Sequence, residues 1–179
     1  LYLILYTLLL VWPLSFMHIY TKPNTRVLAS EWIYKKIPPN SIIAREHWDD
    51  GLPLITQGNY QMLELPMYEP DTLTKWNKIN DVLKETEYII IASNRLYTPL
   101  MKLTNCEKLP PGRCYTKTAQ YYKNLFDETL GFKKVAEFSV YPKFSIFNFQ
   151  FSINDSSADE SFTVYDHPKV MIFKKAEKI

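Results

Sequence analysis

Residues 87–93 read Glu87-Tyr88-Ile89-Ile90-Ile91-Ala92-Ser93, a run in which three isoleucines follow a tyrosine with no polar side chain between them. A strand with one face in water alternates apolar and polar residues, whereas one that is apolar on both faces lies inside a covered sheet. This stretch therefore predicts a central strand. Ser41-Ile42-Ile43-Ala44-Arg45 is a second short apolar run between turn signals and reads as another buried strand. Further strands are expected at 63–67, 132–141 and 169–174.

Helical patterns fall between these runs. One covers 26–37, capped by Asn24 or Thr25 and stopped before Pro38-Pro39. A second runs from a capping Asp71 to about residue 86, and a short one covers 94–103. A last helix is expected over 118–131, closed by Gly131 just past its end. The aromatic segment 144–151 reads as irregular. Residues 160–175 read as strand, turn, strand, with Asp166-His167-Pro168 as the turn and His167 at the surface. The alternation predicts a three-layer α/β domain with a mostly parallel sheet and an antiparallel C-terminal strand.

Composition removes several function classes. The 21 basic and 19 acidic side chains leave a net charge of +2, and no Lys/Arg block exceeds two residues, so nucleic acid is not an expected partner. Only four glycines are present and no glycine-rich phosphate loop is formed. The first 20 residues carry no charge, with tyrosine or tryptophan near both ends. That length matches about 30 Å of hydrocarbon at about 1.5 Å per residue. A transmembrane helix is thus expected over 1–21, the last span of a longer protein because the chain opens on leucine, followed by a domain over 25–179. Pro13 would kink the span. Lys22 and Arg26, by the positive-inside rule, point to the cytoplasm, a rule that loses force before a large domain.

The loop leaving strand 41–45 is Arg45-Glu46-His47-Trp48-Asp49-Asp50-Gly51-Leu52-Pro53-Leu54. In open α/β sheets ligands bind beyond the carboxyl ends of the strands, where residues 93–97 should also emerge. His47, Asp49 and Asp50 are therefore the candidate catalytic residues. Trp48 and Arg95 are the candidate substrate-binding residues, Arg95 for an anionic group. The competing reading makes the aspartates caps of a turn, paired with Arg45 or Arg95. No metal site is expected, because His18 and His167 are remote from this loop. Cys106 and Cys114, with seven residues between them in a Pro-Pro-Gly loop, form either a disulfide outside the cytoplasm or two free thiols.

Five stretches taken in order resemble the C-terminal part of prokaryotic multi-pass membrane glycosyltransferases. They are ASEWIYKKIPPNSII, EHWDDGLPL, YIIIASNRLY, YYKNLFDETLGFKKVAEFSVYP and DESFTVYDHPKVMIFKK. The family is that of the family-39 protein mannosyltransferases and the aminoarabinose-type lipid-linked sugar transferases. The resemblance implies a parent enzyme that moves a sugar from a polyprenyl-phosphate donor to an acceptor on the extracytoplasmic side of the cell membrane. It places the catalytic base in an early loop, so no catalytic residue is carried over here. Residues 25–179 would be an accessory domain, with the bilayer, the other membrane helices and the lipid-linked donor as partners and no cofactor in this fragment. It also puts Lys22 outside, and the cysteine loop departs from its pattern. The alternatives are a membrane-anchored binding domain, and a self-contained hydrolase or transferase using His47 with Asp49 or Asp50.

Overall fold

The computed structural model describes residues 2–55, 59–146 and 148–176. Five strands form its main sheet: β1 (Ile42–Glu46), β2 (Gln61–Leu65), β3 (Tyr88–Ile91), β4 (Phe132–Phe138) and β7 (Val170–Lys175). Their order across the sheet is β2-β1-β3-β7-β4. β1 pairs in parallel with β2 and β3, whereas β7 runs antiparallel between β3 and β4. The fold is thus α/β around a mixed sheet, with β7 the one strand that opposes the other four.

The isoleucine run occupies the middle, as its composition predicts, and all four residues of β3 are buried. Successive strand side chains point to opposite faces. Ile89 and Ile91, with Ala44, Met171 and Phe173, meet Ile79 of helix α3 (Leu73–Glu85) and Tyr122 and Leu125 of helix α5 (Thr116–Phe126). Tyr88 and Ile90, with Ile43, Val170 and Ile172, meet Ala29 and Ile33 of helix α2 (Thr25–Lys36). Helices therefore cover both faces. Truncating Ile89 or Ile90 to alanine should cost about 2–5 kcal/mol, because neither side can collapse into the gap.

Several elements depart from the sequence expectations for local reasons. Thr72, not Asp71, caps α3, its hydroxyl accepting from the Lys75 amide at 3.2 Å. Helix α5 ends at Phe126, five residues before Gly131, which takes φ 86° just ahead of β4. Residues 94–103 contain only one helical turn, α4 (Tyr97–Leu100). The aromatic segment is not irregular. It forms a hairpin of β5 (Lys143–Ile146) and β6 (Phe149–Ser152). Residues 160–163, read as strand, form the short helix α6 (Glu160–Thr163), because Asp159 Oδ1 accepts from both the amide and the hydroxyl of Ser161. Cys106 and Cys114 are joined by a disulfide.

The first helix, α1, spans Tyr2–Met17, contains Pro13 and tightens into a 3-10 turn at His18–Thr21. Sixteen residues rise about 24 Å. Among the described residues no helix is long and apolar enough to cross a membrane, so the span expected over 1–21 is not formed as a single helix. The end of α1 docks on the domain. Trp12 stacks on Phe162 at 6.1 Å, and Phe16 lies 5.5 Å from Phe162 and 5.7 Å from His167. Tyr20 donates to Asp166 Oδ1 at 2.7 Å.

Candidate functional site

Because β1, β2 and β3 are parallel, their carboxyl ends share one edge, and the antiparallel β7 begins there. The loops after β1 and β3 meet at this edge. Asp49 Oδ2 accepts from Ser93 Oγ at 2.7 Å, and Arg95 Nη1 donates to the Trp48 carbonyl at 3.2 Å. Trp48 takes φ 78°, a left-handed conformation that bulky residues seldom adopt, and its indole projects into solvent. Backbone strain of this kind is retained only where surrounding contacts fix it, here the Arg95 bond to its carbonyl.

The three candidate catalytic residues do not converge. The Asp49 side chain is 2% exposed and Asp50 59% exposed, so one carboxylate is buried while its neighbour faces solvent. Both are reached by Arg26 from α2, at 3.6 and 3.2 Å. Asp49 also accepts from the Asp50 amide at 2.8 Å, the geometry of a residue that closes its own turn. His47 faces elsewhere. Its Nδ1 lies 3.0 Å from Glu64 Oε2 on β2, while Arg45 donates to Glu64 Oε1 at 2.7 Å. Hydrogen bonds from Arg45 and His47 hold the Glu64 carboxyl below its ordinary range. Arg95 is engaged by the Tyr165 hydroxyl at 3.1 Å, with its guanidinium 5.6 Å from that ring.

Behind this loop lies a carboxyl that the sequence reading passed over. Glu46, the last residue of β1, is buried and accepts a hydrogen bond from the Tyr122 hydroxyl of α5 through Oε1. Its Oε2 has no partner among the described residues. Burial pushes its pKa up to about 8, against the pull of the Tyr122 bond and with the Asp49 charge adding to the rise. Glu46 is therefore mostly protonated at neutral pH.

A second constellation sits farther along the same edge. His167 is buried, not at the surface as the turn reading predicts, and its Nε2 lies 2.8 Å from Asp155 Oδ2. Phe16 and Phe162 pack edge-on against the imidazole, and this enclosure outweighs the turn propensity of its neighbours. The His167 Nδ1 has no partner among the described residues. A cleft of about 90 Å³ opens beside the pair, lined also by Asn94, Tyr97, Tyr141 and Lys169. Burial raises the Tyr141 phenol, but hydrogen bonds to Ser156 and Ser139 and the Lys169 charge outweigh it and bring the group below its ordinary value. An imidazole oriented by a carboxylate beside a small polar cleft is chemistry for holding a proton or a hydroxyl group.

No sequence signal marked Arg26, Glu46 or the His167–Asp155 pair, since each partner lies on a distant element. Among the described residues no three His, Cys, Asp or Glu side chains gather into a metal-holding group. No family model, no curated protein and no solved structure matches the chain.

Proposed function

We propose that this chain is the accessory domain of an integral-membrane glycosyltransferase, the enzyme using a polyprenyl-phosphate sugar and an acceptor on the extracytoplasmic side. In this reading α1 buries its apolar side chains in the bilayer, and the carboxyl edge of the sheet faces the membrane-embedded reaction centre. The observation that carries it is where α1 attaches. Tyr6, Leu9, Leu10 and Leu14 of a helix without a single charge stand exposed, which water disfavours by about 25 cal/mol per Å² of apolar surface. The same helix docks through Phe16 and Tyr20 on His167 and Asp166, at the edge that presents the Asp49–Ser93–Arg95 loops. The Cys106–Cys114 disulfide fits an extracytoplasmic position. The glycosyl-transfer chemistry rests on the resemblance of the five stretches quoted above.

The test is transfer of labelled sugar from its lipid-linked donor in membranes holding the full-length protein. Asp50→Asn is the informative variant, since Asp50 is exposed and its loss should leave the fold intact. A drop in transfer with an unchanged thermal midpoint supports a loop that faces the reaction centre. Unchanged transfer places the loop away from the reaction centre, and no transfer by the native protein favours an anchored binding domain. Release of the chain from membranes by alkaline carbonate would remove the reading altogether.

A further inference from the structure

The β5–β6 hairpin is an amphipathic ribbon whose apolar face is only partly covered among the described residues, with Phe144 and Phe151 half-buried and Ile146 and Phe149 exposed. Its register sets Phe144 opposite Phe151 and Ile146 opposite Phe149. Since alternate residues of a strand share a face, these four side chains lie together on one side. Lys143, Ser145, Gln150 and Ser152 take the other. The aromatic rings contact one another, Phe151 lying 5.7 Å from both Phe144 and Phe149. None of the four belongs to either core cluster, and Phe149 is 62% and Ile146 49% exposed. A two-stranded ribbon is marginal in water and needs its apolar face packed.

The ribbon lies beside α1 and the 3-10 turn that follows it. Leu14, Met17, His18 and Thr21 line a groove of about 440 Å³ together with residues 143–146 of β5, side chains of both its faces included. The helix and the ribbon are thus adjacent, with Phe144 and Ile146 of the apolar face at their junction. Residues 141–154 carry Lys143 and no carboxylate, and Lys22 follows the turn. Aromatic side chains with flanking lysines are the composition of a membrane–water interface, and the lysines suit anionic headgroups.

We infer that the β5–β6 hairpin is a second membrane-contacting element, its Phe144–Ile146–Phe149–Phe151 face lying in the interfacial layer of the bilayer beside α1. The inference rests on the reading of α1 as bilayer-embedded. The partner is lipid, not another protein, because the ribbon adjoins α1 and the one charged residue of 141–154, Lys143, is basic. Anchored at two points, the domain is held in one orientation above the membrane and does not swivel on a single helix.

Both native cysteines are tied in one disulfide, so an introduced cysteine is the chain's single free thiol. The experiment places an environment-sensitive fluorophore at Leu9→Cys, Ile146→Cys, Phe149→Cys or Lys78→Cys of the full chain. Each is reconstituted in phosphatidylcholine–phosphatidylglycerol vesicles, with and without lipids brominated in the upper acyl chain. The expected result is a blue shift and bromine quenching at 9, 146 and 149 and neither at 78. Lipid-like emission at 9 with water-like emission at 146 and 149 overturns the hairpin inference and leaves the α1 reading standing. A blue shift at 146 and 149 that bromine does not quench identifies a protein partner and overturns it as well. Water-like emission at 9 removes the α1 reading and, with it, this one.

Discussion

Lys75 and Glu46 are both buried on the same side of the sheet, and helix α5 answers both, with Thr118 for one and Tyr122 for the other a single turn later. The two sites are solved in opposite ways. Lys75 Nζ donates among four oxygens, the Met67 and Glu69 carbonyls at 2.8 Å, Asp71 Oδ1 at 3.1 Å and Thr118 Oγ1 at 2.6 Å. The ring of Tyr115 lies 5.3 Å from it. Asp71, freed from capping α3, also accepts from the amides of Lys117 and Thr118 and so caps α5 from across the fold. Glu46 has one donor and an orphaned oxygen, and it responds by keeping its proton. A buried charge persists where its partners are complete, and is neutralised where they are not.

The largest expected effect tests the Glu46 half. Its pKa is raised on folding from an ordinary value near 4.5 to about 8, so the folded state holds a proton that the unfolded chain releases. Stability is thus fully present below about pH 4.5, falls as pH rises and levels off above about pH 8, a total of roughly 5 kcal/mol. Glu46→Gln should flatten that slope, as read from unfolding midpoints of the detergent-solubilised chain across this window. A slope unchanged in the variant would mean that another group carries it.

Next in size, Asp71→Ala should cost about 3–5 kcal/mol, since it leaves a buried ammonium short of its counter-charge. Hydrogen exchange at the Lys117 and Thr118 amides should quicken in step. Smaller again is the Cys106–Cys114 bond, worth about 2–3 kcal/mol for so short a loop. It closes the segment leading to Tyr115, whose amide donates to the Leu103 carbonyl at 2.8 Å, so its reduction should loosen the Lys75 end and leave the Glu46 pH slope intact. Two thiols that react with a probe before any reductant is added would refute the bond itself.

The smallest pair lies in the loop. Asp49→Asn should cost about 1–3 kcal/mol through the buried Ser93 and Arg26 contacts, whereas exposed Asp50→Asn should stay within about 1 kcal/mol. Removing the Asp49 charge also relieves Glu46, so the stability slope should end at a lower pH.

The fold was legible where apolar pattern decides it. Isoleucines 89–91 announced a covered central strand, and Asn24 capped α2, its side chain accepting from the Arg26 amide at 2.9 Å. The meeting of the loops after β1 and β3 also followed from the expected parallel strands. Local chemistry misled where a partner lay far along the chain. Asp71 looks like a cap in any short window, and only the approach of α5, 46 and 47 residues away, gives it another role. His167, in a turn-forming tripeptide, is buried because Phe16 comes from the other end of the chain. In the 144–151 segment, the alternation of Phe144 with Ile146 and of Phe149 with Phe151 was present, but reading it as a ribbon required the pairing between its halves.

The position of β7 sets the order in which the sheet can be completed as the chain leaves the ribosome. β3 and β4 are not neighbours, and each meets β7, which is synthesised after both. Until Val170–Lys175 emerges, β3 shows an open backbone edge beside the most apolar stretch of the domain, and β4 has no partner in the sheet. Such an edge templates pairing with other chains. A nascent chain stalled before residue 170 should therefore be a strong client for chaperones, and the last strand acts as the keystone that ties the lone β4 to the three strands already paired.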